Sequence, residues 1–113
     1  MKDTKAENLF HLGNILDACN AIEERLKLQG FSEQVVKESI VFQLMTIGEA
    51  VTKISGDLKT RHADVPWQKI ASLRHKIVHE YYRIDYDQVE KIAYGQLPHL
   101  HKQVESIMAE LSA

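Results

Sequence analysis

The stretch that most constrains the fold is residues 40–54, where apolar side chains would surround most of a helix. Its polar residues would form only a narrow row along that helix. A helix of this kind must be buried on more than one side, either at the centre of a bundle or at a subunit interface. Gly48, in the middle of the stretch, costs about 1 kcal/mol relative to alanine in a helix. We therefore expect a neighbouring helix to approach closely at Gly48.

The rest of the chain continues the helical pattern, because apolar residues recur at steps of three and four and Gly and Pro are scarce. Gly30 is predicted to stop the first helix, and Ser32 and Asp85 to cap later ones. Residues 56–65 are predicted to form a polar connection, and Gly95 and Pro98 to break the last helix. The predicted helices span residues 4–29, 33–55, 66–80, 86–94 and 98–111.

These elements predict an all-α fold, an antiparallel four-helix bundle whose last helix is split. A length of 113 residues suits a single domain, residues 1–113. No apolar run approaches the roughly 20 residues that span a bilayer, and the N-terminus does not resemble a signal peptide. Cys19, the only cysteine, occupies an apolar helical position and is expected to be a buried structural thiol. We expect a cytoplasmic protein that does not bind membranes.

Charge is unevenly distributed along the sequence. The net charge is −2, but residues 59–83 contain six basic and two acidic residues, so this segment is +4 and the remainder −6. His75 and His79 lie in the same segment. The whole protein is not expected to bind polyanions, but one patch on it has the charge to do so.

The third predicted helix carries a charged residue, Arg74, on its apolar face. On a wheel of about 100° per residue, Arg74 and Tyr81 fall within the apolar arc, whereas His79 falls about 140° from Arg74. A buried guanidinium is costly unless it is paired or opens onto a wet cleft. Arg74 therefore either pairs with a carboxylate such as Glu49 or belongs to a site, and His79 is either a functional residue or an exposed helix-end histidine. Two copies of the helix facing each other would bring an Arg and a His together, which predicts a homodimer.

The same residues resemble the signature of the HEPN superfamily, most closely its HepT-like toxin branch. The motif has Arg, four residues, His, one residue and Tyr, matched here by Arg74, His79 and Tyr81. The segments 47–50 and 65–67 also resemble recurrent features of this branch, as do the helix restart at 85–87 and the break at 97–100. One departure is His75, at a position where this branch often has Asn.

This resemblance implies a homodimeric, metal-independent endoribonuclease that needs no cofactor and acts as the toxin of a two-gene pair. The partner would be a minimal nucleotidyltransferase antitoxin, which in some members adenylylates the motif tyrosine, here Tyr81. Arg74 and His79 would be catalytic, and Tyr81 would be modified or would position a phosphate. The residues that could support them are His75, Lys76 and Glu49.

The chemistry of these side chains suits RNA cleavage. A guanidinium binds phosphate oxygens at two points, and imidazole transfers protons to and from the reacting oxygens. DNA, which lacks the 2′-hydroxyl, would be spared. Two alternatives stay open. His75 and His79, four residues apart, have a usable metal-ligand spacing, although no further ligand completes a set. The bundle could also be a non-catalytic subunit that presents substrate or nucleotide to a nucleotidyltransferase.

Overall fold

A computed structural model describes residues 3–113, and every regular element in that part of the chain is helical. The helices are α1 (Thr4–Gln29), α2 (Gln34–Lys53), α3 (Gly56–Arg61), α4 (Trp67–His79), α5 (Tyr86–Lys91) and α6 (Leu97–Ser112). A 3-10 turn, Tyr81–Arg83, follows α4, and a π-helical turn, Ile92–Gln96, joins α5 to α6. The predicted all-α fold class is confirmed.

The bundle is organised around α2, which packs against α1 on one side and α4 on the other. α6 packs against α1, so the long helices follow one another in the order α6, α1, α2, α4. Their apolar stripes meet in one contiguous core, whose most deeply buried large side chains are Leu12, Ile15, Ile22, Val36, Ile40, Ile47, Val51, Leu58 and Val104. The prediction that residues 40–54 are buried on more than one side is confirmed, and α2 has the central position.

The turn between α1 and α2 begins as predicted but ends one residue later. Gly30 has a positive φ of 69°, and its N–H donates to the Leu26 carbonyl at 2.9 Å. The sequence predicted Ser32 as the cap of α2, and this prediction is wrong. Glu33 takes that position because its backbone is extended (φ −75°, ψ 136°), and its carbonyl accepts the N–H groups of Val36 and Lys37.

The predicted connection at residues 56–65 contains a short helix, α3. Ile54 is extended (φ −70°, ψ 139°), so α2 ends at Lys53 and Ser55 is free to cap α3 by accepting the N–H of Leu58. Asn8 of α1, buried among apolar side chains, accepts the Ser55 N–H and donates to its hydroxyl, both at 3.0 Å. Leu58 is fully buried. One apolar anchor and one capping residue therefore turn a polar segment into a helix.

The last helix is not broken where the sequence predicted. Gly95 and Pro98 are accommodated in a continuous rod, because the chain widens into a π-helical turn directly before the proline. There the Leu97 N–H donates to the Ile92 carbonyl, five residues back. In an α-helix the ring of Pro98 would collide with the carbonyl of Tyr94. The wider turn relieves that contact.

Cys19 is fully buried, as predicted. Burial and the nearby Glu23 carboxylate both disfavour the thiolate and raise the pKa of the Cys19 thiol to about 12. No helix within residues 3–113 combines the length and the apolarity that a bilayer span requires.

Candidate active site

The candidate site lies on α4, which is anchored at its start by an aromatic side chain. Trp67 is buried, and its indole N–H donates to the His62 carbonyl at 2.9 Å. Pro66 has a non-helical ψ of 64°, so it caps the helix, which begins at Trp67. Glu80 leaves the helical conformation (φ −128°, ψ 31°), which ends α4 at His79. Both bounds lie one residue inside those predicted from the sequence.

Arg74 lies where α4 crosses α2 at very short range. A β-carbon built on Gly48 would lie 2.1 Å from Cβ and 2.8 Å from Cγ of Arg74. Real side chains do not approach so closely, so the aliphatic base of Arg74 occupies the space that any other residue at position 48 would need. The prediction that Gly48 permits close approach of a neighbouring helix is confirmed, and Arg74 is the residue that approaches.

The guanidinium of Arg74 is held by the residue next to that glycine. Its Nη2 lies 2.9 Å from Oε2 of Glu49, which is the charge-assisted pairing predicted as one alternative from the sequence. Lys53 lies 3.6 Å from the other oxygen of the same carboxylate. The Arg74 side chain is 35% exposed, so it is neither buried in the core nor free in solvent. Glu49 uses one corner of the guanidinium and leaves its other donors available.

Arg74 and Glu49 line a pocket of about 340 Å³ between α1, α2 and α4. We call it the α1–α2 pocket. It is lined by Phe10, His11 and Asn14 of α1, by side chains of α2 between Phe42 and Lys53, and by Arg74. Its lining therefore combines apolar side chains, amide and hydroxyl groups, and one carboxylate flanked by two cations.

The two histidines of α4 lie away from this pocket. His75 and His79 are exposed, and their rings are neighbours, with centroids 4.3 Å apart and planes tilted by 47°. His79 falls on the solvent face of α4, as its position on the helical wheel predicted. Among residues 3–113, no three His, Cys, Asp or Glu side chains are grouped in a way that could hold a metal ion.

The helical wheel predicted that Tyr81 faces the core, and this prediction is wrong. It is 73% exposed and belongs to the 3-10 turn after α4. The wheel assumed that the helix continues through Glu80, but the chain leaves helical geometry there, so the 100° step no longer applies. The ring of Tyr81 lies edge-on to that of Tyr82, at 6.1 Å between centroids, and Tyr82 is also exposed.

Lys76, the remaining predicted supporting residue, lies on another side of α4. It lines a groove of about 960 Å³ between α4 and the segment from α5 to α6, together with Lys69 and Lys91. Asp85 and Asp87 line the same groove and partly offset its positive charge. The structure thus brings Glu49 and Arg74 together, and His75 and His79 together, whereas Lys76 lines a separate groove and Tyr81 lies in the turn after α4.

Two exposed aromatic residues of the pocket were not foreseen: Phe10 was not singled out, and Phe42 was counted among the apolar residues of 40–54 that were expected to be buried. Phe10 and Phe42 are 66% and 64% exposed, unusually high values for phenylalanine. The sequence did carry a signal for both. On their helical wheels, Phe10 lies opposite the apolar stripe of α1, and Phe42 lies on the same side of α2 as Glu49 and Lys53.

The chain is similar to known proteins of one family. The profile of the HepT-like family, whose description is "Ribonuclease HepT-like", matches residues 15–107. The chain is 33% identical to "Putative RNase TTE0752" of Caldanaerobacter subterraneus, over 87% of this chain and 91% of that protein. It is 31% identical to "Putative RNase MJ1216" of Methanocaldococcus jannaschii, over 97% and 91%. It is 28% identical to "Probable ribonuclease HepT" of Thermococcus cleftensis, over 91% and 97%.

No solved structure matches the chain. The profile match spans the segments that carry Glu49, Arg74, His79 and Tyr81, and the relatives are covered over nearly their whole length. The resemblance drawn from the sequence and the expected class of enzyme, a ribonuclease, are thereby confirmed. The chain belongs to the HepT-like ribonuclease family.

Proposed function

We propose that this chain is a metal-independent endoribonuclease that acts as a homodimer, with each active site built from Arg74 of one subunit and His79 of the other. The observation that carries the proposal is the fixed separation of these side chains. Arg74 is locked toward α2 by Gly48 and Glu49, whereas His79 lies on the solvent face of the same helix. A second copy of α4 supplies the partner that each residue lacks within its own subunit.

Each residue has a defined role in the proposed reaction. Arg74 contacts the non-bridging oxygens of the scissile phosphate through the donors that Glu49 leaves free. His79 takes the proton from the 2′-hydroxyl, whose oxygen then bonds to phosphorus while the bond to the 5′-oxygen breaks. The 5′-oxygen takes a proton from water, and His79 returns its own proton to the hydroxide that remains. The products are a 2′,3′-cyclic phosphate and a 5′-hydroxyl. His75, whose ring neighbours that of His79, supports the proton transfers. DNA has no 2′-hydroxyl and is not cleaved.

We further propose that a minimal nucleotidyltransferase inhibits the enzyme by transferring AMP to Tyr81. The exposed position of Tyr81 supports this, because a side chain in the core would be inaccessible to another enzyme. The phenolic oxygen would bond to the α-phosphorus of ATP and release pyrophosphate. The added phosphate would bring negative charge and bulk to the end of α4, where they oppose RNA binding.

The dimeric site is tested by mixing two inactive variants. Arg74→Ala and His79→Ala are each expected to cleave single-stranded RNA poorly, because each removes one half of every site. After co-refolding, about half of the dimers are mixed and each holds one intact site, so activity should return to about a quarter of wild type. Folding of both variants is checked by circular dichroism.

A mixture that stays inactive although mixed dimers form would place Arg74 and His79 in one subunit and refute the composite site. A wild-type protein that binds RNA without cleaving it would favour the non-catalytic binding subunit instead. For the modification, the chain is incubated with ATP and the proposed nucleotidyltransferase partner. Mass spectrometry should show AMP on the wild type and none on Tyr81→Phe, whereas AMP on both would refute Tyr81 as the acceptor.

A further inference from the structure

We propose that the α1–α2 pocket is a nucleotide subsite, in which the base next to the cleaved phosphate stacks on Phe10 and Phe42 while its phosphate lies toward Arg74 and Lys53. This rests on the proposed function, because Arg74 is the residue that both sites share. The inference is that the enzyme holds single-stranded RNA by an unstacked base, and that the catalytic Arg74 is one edge of that subsite.

The two phenylalanines are the first argument. Both are about two-thirds exposed and both line the pocket, one from α1 and one from α2. Exposed aromatic faces are stacking platforms for nucleic-acid bases, and they accept any base because every base has a π-face. Phe10 is also oriented by His11, whose ring meets it edge-on with 5.3 Å between centroids.

The charge of the pocket is the second argument, and it favours a nucleotide over an apolar protein segment. Arg74 and Lys53 lie 2.9 Å and 3.6 Å from the single carboxylate of Glu49. Two cations and one anion leave a net positive charge among lining residues that include two phenylalanines. An apolar helix docked here would leave that charge without a counter-ion. A nucleotide supplies both a phosphate for the cations and a flat apolar base for the phenylalanines.

The size and the polar groups of the pocket are the third argument. A volume of about 340 Å³ lies at the lower end of the range for small-molecule sites, which suits one nucleotide. Asn14 offers an amide donor and acceptor to a base edge. Thr46, which also lines the pocket, donates its hydroxyl hydrogen to the Phe42 carbonyl at 3.2 Å, so its oxygen can still accept a hydrogen bond. RNA-binding proteins read unstacked bases with such groups.

The experiment measures RNA binding rather than cleavage, so that it does not depend on catalysis. A fluorescein-labelled single-stranded RNA and a ribose-phosphate oligomer of the same length without bases are titrated into the His79→Ala protein. Adding Phe42→Ala or Phe10→Ala should weaken binding of the RNA about tenfold and leave binding of the base-free oligomer unchanged. Val35→Ala is the matched control, because Val35 is also exposed on α2 but does not line the pocket.

Three results would overturn the subsite. One is RNA binding that Phe42→Ala and Phe10→Ala leave intact, and another is an equal loss of affinity for both oligomers. The third is a change of oligomeric state in Phe42→Ala, measured by light scattering, which would assign the pocket to a subunit contact. Failure of the proposed function gives a different signature, since the wild type would not cleave RNA while the base-dependent binding persisted.

Discussion

The contact between Gly48 and Arg74 yields a quantitative prediction for Gly48→Ala. The new Cβ would lie 2.1 Å from Arg74 Cβ, about 1.3 Å short of the 3.4 Å at which ordinary van der Waals contact begins. The atoms that clash, Cβ and Cγ, form the stiff base of the Arg74 side chain, so rotation of its outer torsions does not remove the overlap. Helix α4 must therefore move away from α2 or turn about its axis, and either movement displaces the guanidinium.

The expected effects on stability and on activity differ in size. Overpacking costs about 1–3 kcal/mol, and the higher helix propensity of alanine returns about 1 kcal/mol. The free energy of unfolding should thus fall by no more than about 2 kcal/mol. A displacement of about 1 Å at a catalytic group lowers the rate about 100-fold. We therefore expect Gly48→Ala to fold but to lose about two orders of magnitude in RNA cleavage.

Gly13→Ala is the matched control, because Gly13 also lies inside a long helix but its new Cβ would meet only Met108 Cε, at 3.9 Å. The free energy of unfolding of Gly13→Ala should rise by about 0.5–1 kcal/mol, and the variant should cleave RNA like the wild type. Urea unfolding and cleavage of a labelled single-stranded RNA are measured for all three proteins, at a temperature where each is folded. If Gly48→Ala cleaves RNA as fast as Gly13→Ala, the crossing does not position Arg74 and the reasoning fails.

Three further predictions concern other contacts. Glu49→Gln should reduce cleavage about tenfold because the guanidinium of Arg74 loses a charged partner. The free energy of unfolding in urea should fall by less than about 1 kcal/mol, since the pair is partly exposed. An unchanged kcat/KM would contradict this. Asn8→Ala should lower the free energy of unfolding by about 1–3 kcal/mol because it leaves the Ser55 N–H unpaired, and an unshifted urea midpoint would argue against that role. Cys19 should resist maleimide at pH 8 until the protein unfolds, because the pKa of its thiol is raised to about 12. Stability should decline from pH 9 toward pH 12, where the unfolded thiol ionises first, and comparison with Cys19→Ala should isolate this contribution; rapid labelling of the native protein would refute it.

Much of the fold was predictable because the apolar periodicity of this chain is consistent over long segments. The stripe of α1, the all-round apolar character of α2 and the stop at Gly30 are local signals, and each agrees with the structure. The short helix α3 was not predictable from such signals. It depends on Asn8 meeting Ser55 across 47 positions of sequence and on burial of Leu58, which only the assembled bundle supplies.

Some contacts of the candidate site were predictable, but its arrangement was not. The pairing of Arg74 with Glu49 was one of the alternatives drawn from the sequence, and the size of Gly48 predicted a close helix crossing without naming Arg74. The position of Tyr81 does not, because one residue, Glu80, leaves helical geometry and redirects everything after it. A helical wheel carries no information beyond the end of its helix. The motif therefore combines two side chains placed by α4 and one placed by the turn after it.

The π-helical turn determines how the C-terminal part of the chain opens. Its hydrogen bonds reach back five residues instead of four, and Pro98 donates none, so the rod from Tyr86 to Ser112 is interrupted in its interior. α5 buries one side chain, Val89, and contacts α2 through Tyr86, whereas α6 buries four side chains and packs along α1. Local unfolding should therefore release α5 as one unit while α6 stays in place. Amide hydrogens of α5 would exchange with solvent long before those of α6, and each such event would uncover the side of α4 that carries Lys76.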